Sequence, residues 1–338
     1  MRGAHSLGLL APTIATWNST KLGLFGISRY FTMSAYQVPV ISVCLPVYNA
    51  ERFLAEAVES ILEQTFKDFE FLILDDGSTD GSPAILAQYA ARDPRIRITS
   101  RPNKGLVATL NELIDQARGE FIARMDADDV ALPERFERQI EHLRANPECV
   151  AVGCRQLVID PEGDPIAVWS KGESHEEMDA GNLTGELGST LGHPTAMMRR
   201  QAVLDIGKYR EQFRYFEDVD LFLRLAERGR LGKIAEPLLK YRAHEGNRSN
   251  DGNLRAEQDL HQILTEAYLR RGLPVGRLPR QPLTQGPDSP WATHERWAWQ
   301  ALLEGNVATA RKYARRLVAK TPFSLSAWRL LYCSIRGR

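Results

Sequence analysis

From Val38 onward the chain switches repeatedly between two hydrophobic periods, and this limits the folds open to it more than any other feature. Val40 to Leu45 is a short apolar run rich in β-branched residues, and Leu54, Ala57, Val58, Ile61 and Leu62 then recur at helical spacing. The switch repeats: Phe69 to Leu74 reads as strand, Pro83 to Ala91 as helix, Ile96 to Thr99 as strand, Leu106 to Ala117 as helix and Phe121 to Met125 as strand. A helix around Pro133 to Ala145 leads into another apolar run, Cys149 to Gly153. Strands separated by helices need right-handed crossovers, so the expected class is α/β, a Rossmann-like, mainly parallel sheet with helices on both faces.

Beyond Gly153 the pattern predicts strands at Gln156 to Ile159, Ala196 to Arg199 and Lys233 to Ala243, and helices at Arg200 to Ile206 and Asp218 to Glu227. These complete one domain over residues 37–271. Residues 272–290 carry five prolines and three glycines, which is linker composition. Residues 291–338 then hold four of the six tryptophans and read as three short helices joined at Gly305 and near Pro322, a small C-terminal helical appendage. Residues 1–36 mix Ser, Thr and Gly with Arg and Lys, and Pro12 breaks the apolar stretch Leu7 to Ile14. This segment is expected to stand outside the fold as a disordered extension; an acid-poor targeting segment, or a translation start at Met33, are the alternatives.

Composition narrows the function. Forty-three Lys and Arg balance 43 Asp and Glu, which removes any whole-molecule electrostatic case for nucleic acid as a partner. Cys44, Cys149, Cys154 and Cys333 have neither Cys-x-x-Cys nor metal-ligand spacing, so no disulfide framework is expected and a reducing compartment is. No apolar run approaches the roughly 18–20 residues of a membrane helix. The expectation is a cytoplasmic protein, or one peripheral on the cytoplasmic membrane face. No acid follows Glu304, and the basic, aromatic segment 305–338 can be read either as a helical hairpin packed on the main domain or as a membrane-facing surface.

Polar motifs fall where strands end: Pro46-Val47-Tyr48-Asn49, then Asp75-Asp76-Gly77-Ser78-Thr79-Asp80, then Asp126-Ala127-Asp128-Asp129. Ligands of open parallel sheets bind beyond the carboxyl ends of the strands, so all three motifs are expected to line one crevice. Asp-Gly-Ser-Thr-Asp alone is a turn and helix cap. Several carboxylates in one pocket repel each other unless a cation offsets them, and Mg²⁺ or Mn²⁺ suit oxygen ligands shared with phosphate.

The ordered set of Pro46 to Asn49, Asp75 to Asp80, Asn103-Lys104-Gly105-Leu106, Gly119-Glu120-Phe121-Ile122, Asp126 to Asp129, His193-Pro194-Thr195 and Phe216-Glu217-Asp218 resembles the family 2 glycosyltransferases over residues 38–250. The resemblance implies a GT-A fold and an inverting transfer of sugar from a nucleotide-diphospho-sugar, UDP by family frequency, to a glycan or lipid-linked acceptor hydroxyl. Surface polysaccharide, lipopolysaccharide or glycolipid synthesis is the implied setting. Residue by residue, it implies Asp126 and Asp128 as metal ligands, with Asp126 also facing the nucleotide, and His244 as a further metal ligand. Tyr48 is expected to stack on the base, Asp75 and Asp76 to recognise base and ribose, and Pro46, Asn49 and Lys104 to lie at the nucleotide. Asp218 is the implied catalytic base; His193 and Glu217 are expected on the acceptor side. Arg248-Ser249-Asn250 reads as a loop able to close over the diphosphate.

Two other readings stay open at this point. Asp126-Ala127-Asp128-Asp129-Val130 also resembles the nucleophile motif of haloacid-dehalogenase phosphatases, although that motif usually opens a domain's first strand. The chain can also be a catalytically silent module that keeps the fold for binding.

Overall fold

A computed structural model of the chain describes residues 38–185, 189–244, 254–275 and 291–337. The extension 1–36, most of the linker and the loop at Arg248 lie outside the described residues. Residues 38–338 group as one compact unit.

The first half follows the alternation read from sequence: β1 (Ile41–Val47), α1 (Leu54–Leu62), β2 (Phe69–Asp75), α2 (Ser82–Ala90), β3 (Ile96–Ser100), α3 (Leu106–Gln116) and β4 (Phe121–Arg124). The four strands pair in parallel in the order β3-β2-β1-β4. Both central strands, β1 and β2, are buried along their whole length, as strands covered on both faces must be. Successive side chains point to opposite faces, so Ile41, Val43, Leu45 and Val47 meet one core with Leu54, Val58 and Ile61 of α1. Cys44 meets the other core, where Leu110, Leu113 and Ile114 of α3 pack.

The second half turns the sheet mixed. After β5 (Val130–Ala131) and α4 (Arg135–Ala145) come β6 (Cys149–Ile159), β7 (Pro165–Trp169), α5 (His175–Thr184), β8 (Met197–Arg199), α6 (Arg200–Asp205), α7 (Glu217–Ala226) and β9 (Arg230–Arg242). β8 lies antiparallel between β4 and β6, while β9 runs parallel to β6. The sequence pattern divided β6 into two runs separated by Cys154 and Arg155; the strand is continuous, and its register with β9 shifts around Arg155. α5 and β7 carried no expectation, and neither did α8 (Leu254–Arg270), whose Leu260, Ile263, Leu264 and Ala267 build a core with Phe213, Val219 and Leu223.

α9 (Ala292–Leu303), α10 (Val307–Lys320) and α11 (Leu325–Arg336) form the C-terminal helices. Their inner faces, including Trp297, Ala301, Tyr313, Ala314 and Leu330, share a core with Val158, Ile166 and Ala167 of β6 and β7. Lys312 of α10 reaches into the turn between those strands. Its ammonium pairs with Asp160, Glu162 and Asp164, and Asp160 is fully buried. The Tyr313 hydroxyl donates to the same Asp160 carboxylate at 3.0 Å.

Candidate functional site

The loops after β1 and β2 are laced together. Asn49 takes a left-handed backbone (φ 49°), which Asn tolerates through its short polar side chain. Its amide donates to Ser78 Oγ at 2.9 Å, and its Oδ1 accepts from the Thr79 amide at 2.8 Å. The next two amides, of Ala50 and Glu51, donate to Ser82 Oγ and Asp80 Oδ2. Tyr48 is 53% exposed on this loop. Pro46 is buried in β1, opposite Leu74 of β2.

Asp75 and Asp76 are both buried at the end of β2. Asp75 accepts from the Ser78 amide at 3.0 Å and closes the turn. Asp76 accepts from the amides of Lys104 (2.8 Å) and Gly105 (2.9 Å) and pairs with Arg101, so it fastens the loop before α3 to the crevice. Gly77 (φ 78°) makes that approach possible: a Cβ there would lie 2.8 Å from the Asn103 nitrogen. The Lys104 ammonium pairs with Glu112 on α3 at 3.1 Å, so it is the backbone of Lys104 that holds the crevice loop.

Beyond β4, Asp126, Asp128 and Asp129 bring one carboxylate oxygen each within 4.8 Å of one another. His244, just past β9, places Nε2 2.8 Å from Asp128 Oδ2, and its ring lies against Phe53. Asp126 pairs with the buried Arg124. Asp129 is buried; one oxygen accepts from the Arg242 amide at 2.9 Å, and the other meets no donor among the described residues. Burial first, and then the neighbouring Asp128 and Asp126, push its carboxyl well above the usual range. Three converging carboxylates, one with an unmet buried oxygen, plus an imidazole could hold a hard divalent ion.

The floor under the cluster is itself charged. Arg135, fully buried on α4, donates to the Arg124 carbonyl at 2.7 Å and fixes the backbone entering Asp126. Burial pushes its pKa down to about 10, which still leaves it cationic near neutrality.

Asp218 sits in the first turn of α7, whose N-terminus favours acids. Phe216 immediately before the helix is left-handed (φ 57°), a costly conformation for an aromatic residue, and it turns Glu217 and Asp218 into place. Burial raises the Asp218 pKa above the ordinary carboxylate value; the Val219 amide at 2.8 Å and the charges of Arg124 and Lys171 oppose that rise. Arg124 is within electrostatic reach of Asp126, Asp129 and Asp218, so the acidic cluster and the start of α7 share one charged centre. Asp220, by contrast, is a buried structural acid paired with Arg210 and Arg224.

His193 is buried, with Nε2 2.7 Å from the Tyr209 hydroxyl and its ring against Phe222. Its partner Tyr209 feels Arg124, Asp218 and Glu217. Glu217 is also buried. Sequence reasoning missed Arg124, Arg135, Lys171 and Tyr209. The one available signal was Arg124, a charged residue closing the apolar strand Phe121-Ile122-Ala123 directly before Asp126.

The profile of Glycosyl transferase family 2 matches residues 42–207. A putative glycosyltransferase of Bacillus subtilis, EpsE, is 39% identical over 209 residues, covering 60% of this chain and 73% of EpsE. The chain therefore belongs to glycosyltransferase family 2. Its fold is GT-A, similar to S. aureus TarS 1–349 in complex with UDP-GlcNAc (TM-score 0.54, 16% identity, 87% of this chain and 79% of that one). The mannosyltransferase PcManGT of Pyrobaculum calidifontis, in complex with GDP-Man and Mn²⁺, is similar at TM-score 0.51 and 19% identity, with 88% and 80% covered. Asp126 follows the fourth strand of the sheet, not the first, and family membership leaves the phosphatase reading without support.

Proposed function

We propose that the protein is an inverting, metal-dependent glycosyltransferase that moves a sugar from a nucleotide-diphospho-sugar to a hydroxyl of a glycan or lipid-linked acceptor in surface polysaccharide, lipopolysaccharide or glycolipid synthesis. The observation that carries this reading is the shared charged centre. Arg124 pairs with Asp126 of a carboxylate cluster fit for a cation and also acts electrostatically on Asp218, a raised-pKa carboxylate at a helix start. UDP is the first nucleotide to test, since TarS is similar in fold and its structure holds UDP-GlcNAc.

Asp126, Asp128 and His244 would hold the ion, with Asp129 supporting them. A divalent cation there supplies Lewis-acid stabilisation of the charge that builds on the leaving diphosphate. Tyr48 stacks on the base while Asp75 and Asp76 fix base and ribose, with Pro46, Asn49 and the Lys104 backbone shaping the crevice. The acceptor oxygen attacks the anomeric carbon opposite the leaving group, the bond to the diphosphate breaks, and the hydroxyl proton passes to Asp218. A positioned base contributes typically 10²–10⁴-fold to such a step. Its raised pKa brings Asp218 closer to the operating pH, where a general base works best. Glu217, His193 and Tyr209 back this acceptor side.

Calorimetric titration with UDP, GDP, CDP and dTDP, each with Mn²⁺ and again with chelator, tests the donor site. One nucleotide binding only with metal is the expected result; metal-independent binding, or none by folded protein, contradicts it.

A further inference from the structure

α11 has two apolar faces, and only one is covered. Ala327, Leu330 and Ser334 face inward to the shared core. On the other side Leu325 (87% exposed), Trp328 (50%), Tyr332 (58%) and Ile335 (62%) recur at spacings of three and four residues. At 3.6 residues per turn these four fall within an arc of roughly 80°, with Arg336 and Arg329 bordering one edge. Phe323, in the turn before the helix, is 98% exposed. Half of the twelve large apolar side chains exposed among the described residues lie between Leu303 and Ile335.

The charge beside this stripe is mainly basic, the one acid bonded to α11 among the described residues being Glu295 of α9, which accepts from the Ser326 hydroxyl. After Glu304 the sequence contains eight Lys or Arg and no acid. Lys312 and Arg316 are engaged with the acids of the β6–β7 turn, while Arg329 and Arg336 are exposed on α11 itself. Beside the stripe, Trp299, Leu325, Ser326 and Arg329 line an open groove of about 560 Å³, with the Arg329 guanidinium 5.9 Å from the centre of the Trp299 ring. An exposed apolar stripe edged by arginines matches a bilayer surface, where apolar side chains enter the acyl boundary and cations meet lipid phosphates. A two-fold contact between copies of the chain would instead bring one basic surface to another, and the segment after Glu304 has no acid to offset it. No helix among the described residues is long and apolar enough to cross a membrane, so the contact is one of lying on the surface.

We propose that the outer face of α11, with the basic residues beside it, docks the protein onto an anionic lipid surface. This assignment is independent of the reading of the crevice and stands or falls without it.

Flotation of the full chain tests it, using vesicles of phosphatidylcholine alone and of phosphatidylcholine with phosphatidylglycerol, at low and high salt. The parent should float with the anionic vesicles only and be released by salt. Arg329→Glu with Arg336→Glu should weaken partitioning by at least about fivefold per position. Leu325→Ser with Ile335→Ser should weaken it by roughly tenfold or more. Because all four side chains are exposed, both double variants should keep the parent melting temperature and helix content. Equal flotation with both vesicles, none with either, or variants that float like the parent would overturn the proposal. A dimer in sedimentation that the Leu325→Ser, Ile335→Ser variant dissolves would assign the face to a second copy instead.

Discussion

Replacing Lys312 by methionine removes the cation that pairs with Asp160, Glu162 and Asp164 in the turn between β6 and β7, and leaves the Arg316–Glu162 pair at 3.6 Å between α10 and that turn. The magnitude follows from what remains around Asp160. That carboxylate is fully buried and now accepts from Lys312, from the Tyr313 hydroxyl at 3.0 Å, and from the Glu162 and Asp164 amides at 3.0 and 2.9 Å. Removing one partner of a buried pair costs about 3–5 kcal/mol because the other charge stays buried. Lys312 keeps 22% of its surface exposed, and three donors to Asp160 survive, so a loss of about 2–3 kcal/mol is expected. Adding Asp160→Asn removes the stranded charge, and the double variant should recover about 1–2 kcal/mol of that loss. Urea denaturation followed by tryptophan fluorescence is the assay, since four of the six tryptophans lie beyond residue 290. A Lys312→Met variant within about 0.5 kcal/mol of the parent, the range of ordinary surface changes, would refute the reasoning. So would strictly additive losses in the double variant.

Three further predictions concern the site and the core. Asp128→Ala should abolish the Mn²⁺-dependent part of nucleotide binding in calorimetry, and retention of metal-dependent affinity would move the ligand set elsewhere. Asp218 has a raised pKa in the folded state, so the folded protein binds its proton more tightly than the unfolded chain does, and stability falls as pH rises from about 3.9 through the raised value. Asp218→Asn should therefore melt no lower than the parent at neutral pH, and a clearly lower melting temperature would contradict the sign. Among the cysteines, Cys44, Cys149 and Cys154 are buried, with burial pushing Cys149 up to about 11, whereas Cys333 is partly exposed. A thiol reagent should label the native protein at Cys333 first, with the other three reacting only on denaturation.

The parallel half of the sheet was legible because its strands and helices differ in period and each motif closes a strand. β1 to β4 needed no tertiary information. The helix α8 was missed although Leu260, Ile263, Leu264 and Ala267 carry helical spacing, because most of its remaining positions are polar and it follows a sequence of loop-like composition. The acidic cluster was legible as a motif after β4, while its support was not. Arg135 reads as an ordinary surface position at a helix start and turns out to be buried under Arg124. Tyr209 lies in a loop without a motif and is held by Asn111 of α3, which bonds both its amide and its carbonyl at 3.0 and 2.9 Å. Such partners are brought together by topology alone. The left-handed Phe216 is likewise invisible in sequence, since only Gly or Asn would have signalled that backbone.

The central claim is that the carboxylate at position 218 takes the acceptor proton while a separate carboxylate cluster holds the donor. Single-turnover sugar transfer by Asp218→Asn, measured beside its metal-dependent affinity for the donor nucleotide, tests it most directly. The account predicts unchanged binding and a transfer rate lower by about 10²-fold or more. Transfer at the parent rate with binding intact would contradict it.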